Sequence, residues 1–173
     1  NDAAKAYYAQ HNASFELVKS ALNNSADPVK SISDMKSENV KLKKQIESLL
    51  KDKAMSMKGD LKQDVELVNG VHFLAKIVDL DASGIKDLSF ELGQQFENSV
   101  LLFGSEQNGK ALLSCYVSKE LVASKGLNAG TIVRELGRYI QGGGGGQPFY
   151  ATAGGKNPAG LQEALDNAKS YIE

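Results

Sequence analysis

Apolar residues recur at helical spacing along the first third of the chain and mostly at strand spacing beyond it. Ala4, Tyr8, His11, Phe15, Val18 and Leu22 step by three and four, which is one face of a helix. The segment "NNSADP" (23–28) interrupts that stripe, with Asp27 suited to cap a second helix and Pro28 to open it. In the second helix Ile32, Met35, Asn39, Leu42, Ile46, Leu49, Lys53 and Ser56 alternate by three and four throughout. This is a heptad seam with one polar position, Asn39, of the kind that fixes register or oligomeric state. Two arrangements satisfy it: an antiparallel hairpin whose seams face each other, or an additional intermolecular contact along the long helix.

From about residue 65 the pattern changes. "VELVNGVHFLAKIVD" (65–79) predicts strands with Gly70 at a turn or bulge, and "IKDLSFELGQQFEN" (85–98) an amphipathic helix through Ile85, Leu88, Leu92 and Phe96. "SVLLFGSEQNGKALLSCYV" (99–117) predicts a hairpin about Asn108-Gly109, since Asn-Gly supplies the positive φ angles of a tight turn. "AGTIVRELGRYIQ" (129–141) predicts a helix ending at a run of glycines; Asn157 caps, and Pro158 opens, a final helix to about Tyr171. Asp79 and Asp81 suit turn capping. The expected fold is α+β: an antiparallel helical hairpin over 1–63, then a small α/β domain over 64–173 with helices covering one face of a short-stranded sheet.

Composition narrows this little. The 173 residues allow one domain with a core or a smaller domain plus an extension, and no apolar run approaches the roughly 20 residues that span a bilayer. No membrane association is expected. Cys115 is the single cysteine, which precludes an internal disulfide and favours a reducing, cytoplasmic home. The chain starts at Asn1 in what reads as mid-helix, so it is expected to be a segment of something longer. Net charge is −1, yet the charge is segregated. Residues 30–63 carry nine lysines against five acids, residues 64–105 two lysines against seven acids, and residues 106–162 six basic residues against three acids. A localised basic window is what steers a polyanion.

The glycine run lies inside that last window. Seven glycines fall within Gly142 to Gly155: Gly142, Gly143, Gly144, Gly145, Gly146, Gly154 and Gly155. Read as a loop between two helices, the stretch has three explanations. Backbone N–H groups approach phosphates or sugars closely; or a tight structural loop lets the helices touch; or the segment is a mobile linker. It is neither a nucleotide phosphate loop, lacking Gly-Lys-Ser/Thr, nor a dinucleotide fingerprint, lacking the strand and the acid. His11 and His72 are scattered, so no catalytic residue, zinc cluster or other metal site is expected.

"GGGGGQPFYATAGGKNPAGLQEAL" (142–165) resembles the signature of the DHHA1 domain, specifically that of the C-terminal domain of alanyl-tRNA synthetases. The resemblance covers the whole chain in architecture and about 25 residues in motif. It implies a tRNA-binding and oligomerisation module that holds the outer corner of alanine tRNA, supporting aminoacylation and editing elsewhere in the synthetase. The parent would then be an alanine–tRNA ligase using ATP, Mg and Zn, with no cofactor in this segment. Two departures stand out. Gly143 and Gln147 occupy positions where the family often has a basic residue, and Phe149 replaces its common acid after the proline. The expected tRNA contacts are therefore the glycine backbone with Lys156, Arg134, Arg138 and Lys125, while Tyr150 or Phe149 either stacks on a base or packs in the core. Expected partners are tRNA, the rest of the synthetase chain and a second copy through the helical part. Two rivals remain: the substrate-binding half of a DHH-type exonuclease or oligonucleotide phosphatase, and a purely structural dimerisation module.

Overall fold

The computed structural model describes residues 2–172 and divides into two compact units, one ending at Ser48 and one running from Leu49. The first holds helix α1 (Asp2–Ala21) and most of α2 (Pro28–Gln63). Between them Asn23 and Asn24 both adopt left-handed φ, and the Asp27 carboxylate accepts from the Lys30 N–H at 3.0 Å, the expected cap. The expectation that the two seams face each other is not met. Phe15, Val18, Ile32, Met35, Leu42 and Ile46 are all exposed, and α1 buries no residue. Leu22, at the end of the first seam, lines one shallow hollow with Ile32 and Met35 of the second.

The second unit begins inside α2, because the last turns of that helix are part of its core. Ala54 and Leu61 are 4% and 3% exposed and cluster with Ile85, Leu88, Leu101 and Phe103. The expected boundary at 63/64 is the end of the helix, whereas the change in packing comes at Leu49. Strands β1 (Glu66–Val68) and β2 (Val71–Ile77) meet at Asn69-Gly70, both at positive φ. Helix α3 (Ala82–Gly93) is capped by Asp81, which accepts from Gly84 N at 2.8 Å. Strands β3 (Ser99–Gln107) and β4 (Lys110–Val117) form the expected hairpin about Asn108-Gly109.

Four stretches differ from expectation. A short helix α4 (Lys119–Lys125) follows β4, and α5 is confined to Ala129–Leu136, capped by Asn128. The glycine run is no loop: Gly142–Gln147 is strand β5 and Tyr150–Gly155 is strand β6, joined by a two-residue turn. The final helix is also broken up. A 3-10 turn (Pro158–Gly160) leads into α6 (Leu161–Asn167), and Asn157 stands at the N-cap position of that turn without a side-chain capping bond; its Nδ2 donates to the Tyr139 carbonyl at 3.1 Å.

The six strands form one sheet in the order β1-β2-β3-β4-β6-β5, antiparallel except for the β2–β3 pair. Helices cover both of its faces, not one. Val100, Leu102, Leu113, Cys115, Ala151 and Ala153 pack with residues of α5 and α6, while Leu101, Phe103 and Tyr116 pack with α3 and the end of α2. The reason is visible in β3, where "VLLF" is a continuous apolar run, the mark of a strand buried on both sides. Leu61→Ala should therefore destabilise the globular unit by about 2–5 kcal/mol in urea denaturation. Leu42→Ala, on the exposed seam of the first unit, should change that transition by under about 0.5 kcal/mol.

Candidate nucleic-acid interface

A strand of five consecutive glycines contradicts strand propensity, which rests on side chains packing across a pleated surface. The geometry resolves it by dividing the glycines into two sets. A Cβ on Gly142 would strike the Gly154 carbonyl, one on Gly144 the Thr152 carbonyl, and one on Gly155 the Ile140 carbonyl. On Gly146 it would come to 2.7 Å from the Ala151 Cα. These four are glycine because β5, β6 and the turn after α5 lie closer together than any side chain permits. Gly143, Gly145 and Gly154 are different. Nothing lies within 4 Å of a Cβ built on Gly143 or Gly154, and one on Gly145 meets only the Arg134 guanidinium, at 3.9 Å.

Register then assembles the second set. Gly143 pairs with Gly154 and Gly145 with Thr152, so the open glycines sit side by side across the two strands. The hairpin closes on the Gln147–Tyr150 pair, so ladder hydrogen bonds fall on Gly143, Gly145 and Gln147. The backbone groups of the even-numbered glycines consequently face the open edge of the sheet, where the Gly142 N–H donates to the Gly137 carbonyl at 2.9 Å. The hairpin is pinned at its tip as well, by the Ala129 N–H on the Pro148 carbonyl at 2.8 Å. At its base the Asn157 N–H donates to Ile140 O at 3.0 Å. A mobile linker is thereby excluded.

The basic residues surround this hairpin unevenly. Arg134 lies on α5 and reaches toward Gly145; Arg138 follows in the turn that feeds β5; Lys156 immediately follows β6. All three are exposed, and none belongs to the four ion pairs among the described residues. Lys125 ends α4, and the structure shows no contact bringing it to the hairpin. Glu135 is the one acid on α5, and it is drawn aside: the Tyr171 hydroxyl donates to its carboxylate at 2.7 Å. Burial, followed by that bond, pushes the Tyr171 pKa up to about 12. Neither arginine forms an ion pair with Glu135.

Tyr150 and Phe149 are half-buried. The Tyr150 ring lies tilted on Phe90 with centroids 5.3 Å apart, and burial pushes its pKa up to about 12. Packing accounts for Tyr150, whereas Phe149, 6.4 Å from Phe90, lines a hollow that sequence reasoning did not find. Thr152 was also missed. It is half-buried between Gly145 on β5 and Ser114 on β4, and only the strand register reveals it. Among the described residues no group of three His, Cys, Asp or Glu side chains is placed to hold a metal. No helix is long and apolar enough to cross a membrane.

The small mixed sheet, covered by helices on both faces, ends in a glycine-rich hairpin flanked by exposed arginine and lysine. The chain belongs to the DHHA1 domain family, which matches residues 70–173. It is 62% identical over 172 residues to the alanine–tRNA ligase of Christiangramia forsetii, a match covering 99% of this chain and 20% of that one. To the alanine–tRNA ligase of Flavobacterium psychrophilum it is 44% identical over 172 residues, covering 99% and 19%. The chain therefore spans about a fifth of the length of these relatives. Among solved structures it is similar to the C-Ala domain from Aquifex aeolicus alanyl-tRNA synthetase. The TM-score is 0.56 at 28% identity, covering 62% of this chain and 96% of the other.

The two glycine sets predict opposite responses to the same substitution. Gly144→Ala should cost about 1–3 kcal/mol or abolish folding, because the neighbouring backbone cannot yield. Gly143→Ala and Gly154→Ala should leave the thermal midpoint within a few degrees of the parent, followed by circular dichroism.

Proposed function

We propose that this chain is a non-catalytic, tRNA-binding module of an alanine–tRNA ligase, holding the outer corner of the tRNA while the rest of the enzyme charges and edits it. Its place would be the cytoplasm. The observation that carries the reading is the Gly143–Gly154 pair with Gly145 beside Arg134. A sugar or base can lie flat against backbone there, because no Cβ holds it off. A phosphate alongside would meet the guanidinium of Arg134 and the edge-facing N–H of Gly144, a pairing of cation and backbone donor that suits a phosphodiester. Arg138 and Lys156 extend the positive field along the base of the hairpin. The similarity to alanine–tRNA ligases supports tRNA as the polyanion.

Filter binding of alanine tRNA over a salt series tests this, with circular dichroism as the folding control. Arg134→Ala, Arg138→Ala and Lys156→Ala should each weaken binding and flatten the log–log salt slope by roughly 0.7–0.9. Gly143→Val and Gly154→Val should weaken binding with little change in slope, since they block approach and remove no charge. If the three basic variants bind as the parent does, the surface lies elsewhere, with the lysine-rich stretch 30–63 the next candidate.

Self-association through the first unit is a second role, favoured by its exposed apolar seam. Asn39 sits within that stripe, lining a shallow hollow with Leu22, Ile32, Met35 and Val40. Ile32 and Met35 are 39% and 59% exposed, an arrangement suited to a second helix packing over them. Light scattering across a wide concentration range should show a weak monomer–dimer equilibrium. Asn39→Leu should tighten or alter it, and a strict monomer at the highest concentration ends this reading.

A further inference from the structure

Away from the glycine platform, the turn of the β5–β6 hairpin closes one side of a hollow of about 540 Å³. Its walls are the rings of Phe90, Phe96, Tyr116 and Phe149. Phe90 and Tyr116 meet edge to face with centroids 5.4 Å apart, and the Tyr116 ring lies against the backbone of Gly93, where a Cβ would collide with it. The aromatic walls are thus fixed by packing. Two carboxylates, Glu97 and Glu120, stand at the rim, exposed and outside every ion pair among the described residues. Ser118 also lines the hollow: the residue is 3% exposed and its Oγ has no hydrogen-bond partner.

We propose that this hollow receives an arginine side chain presented by a protein segment. A guanidinium is planar, carries five N–H donors and no acceptor, and stacks on aromatic faces. The hollow offers the complement: four aromatic rings and two carboxylates outside every ion pair among the described residues. Lys119 is the only cation lining it, against the two acids. The surrounding chain is acidic too, since residues 64–105 carry seven acids against two lysines. That field argues against a nucleobase as the occupant, because its phosphodiester would lie beside Glu97 and Glu120. The Glu120 carboxylate is near enough to add to the effect of burial in raising the Tyr116 pKa, so negative charge reaches the aromatic wall itself.

The inference does not depend on tRNA binding, and its test is separate. Nα-acetyl-arginine amide, titrated into the isotope-labelled 173-residue chain, should shift the backbone amide NMR signals of Gly93, Ser118 and Phe149 saturably. The expected dissociation constant is on the order of 1–10 mM, the range for one anchoring side chain. Glu97→Gln with Glu120→Gln, two exposed changes that should leave the fold intact, should weaken it about threefold or more. Phe149→Ala should weaken it similarly. Guanosine monophosphate should leave those three signals unmoved. The proposal is overturned if the arginine probe gives no saturable shift there, or if the double variant binds it as the parent does. It is equally overturned if guanosine monophosphate occupies the hollow more tightly, which would mark a nucleobase site.

Discussion

The distance between the backbone of β5 and that of β6 constrains the rest of the globular unit. At Gly142, Gly144 and Gly146 the strands come so near that a methyl group would have to occupy the space of a carbonyl or a Cα of the partner strand. That closeness propagates outward. A Cβ at Gly130 would stand 3.2 Å from the Gly146 carbonyl, so α5 also approaches the hairpin with a glycine at its contact. The tip then comes within reach of the Ala129 N–H, and the base within reach of Gly137 and Asn157. A bulkier edge strand would push α5 away and take the Arg134 guanidinium from the surface of Gly145. Packing that looks like the negation of a strand is what positions the charge.

Charge segregation along the sequence carries only partly into the two faces of the sheet, because the lysine-rich end of α2 packs on the same side as α3 and meets it through Lys58–Glu91. The acidic window 64–105 includes α3, which packs on the Leu101–Phe103 side. The basic window 106–162 includes α5, which packs on the opposite side, and the edge hairpin. The proposed polyanion and arginine sites would lie at different places on one small unit, although both include a part of the β5–β6 hairpin. The Tyr171–Glu135 hydrogen bond sharpens this division, holding the lone acid of α5 toward the chain's last helical turn.

What the sequence disclosed, and what it hid, follows from where the information resides. Asn69-Gly70, Asn108-Gly109 and the Asp27–Pro28 pair were legible because turn and cap chemistry is local, set by φ preferences and by one carboxylate reaching an N–H three residues on. Asn157 carries the same local signal and takes the N-cap position, but its amide makes no capping bond and instead satisfies the carbonyl of Tyr139 eighteen residues away. The glycine strand was illegible for a deeper reason. Strand patterns are read from alternating side chains, and five glycines have none to alternate. The division of the sheet's two faces was available in the unbroken apolar run of β3, which an expectation of one covered face overlooked. Charge and sequence proximity to the glycines single out Arg134, Arg138 and Lys156 as candidates, whereas Thr152 takes its place from register alone.

Why so many glycines occur together is finally a question about entropy. Glycine loses more backbone freedom on ordering than any other residue, and a flexible glycine loop would lose that freedom at the moment of binding. Here the ladder to β6, the Ala129–Pro148 bond at the tip and the bonds at the base order the strand when the domain folds. A ligand bound there would meet a surface already in place, and the ordering penalty would not weaken its affinity. The four close-packed glycines are what make that ordering possible, and the three open ones are what it presents. Each set needs the other: without tight packing the smooth surface would be a coil, and without open positions the tight hairpin would offer a ligand nothing that ordinary side chains could not.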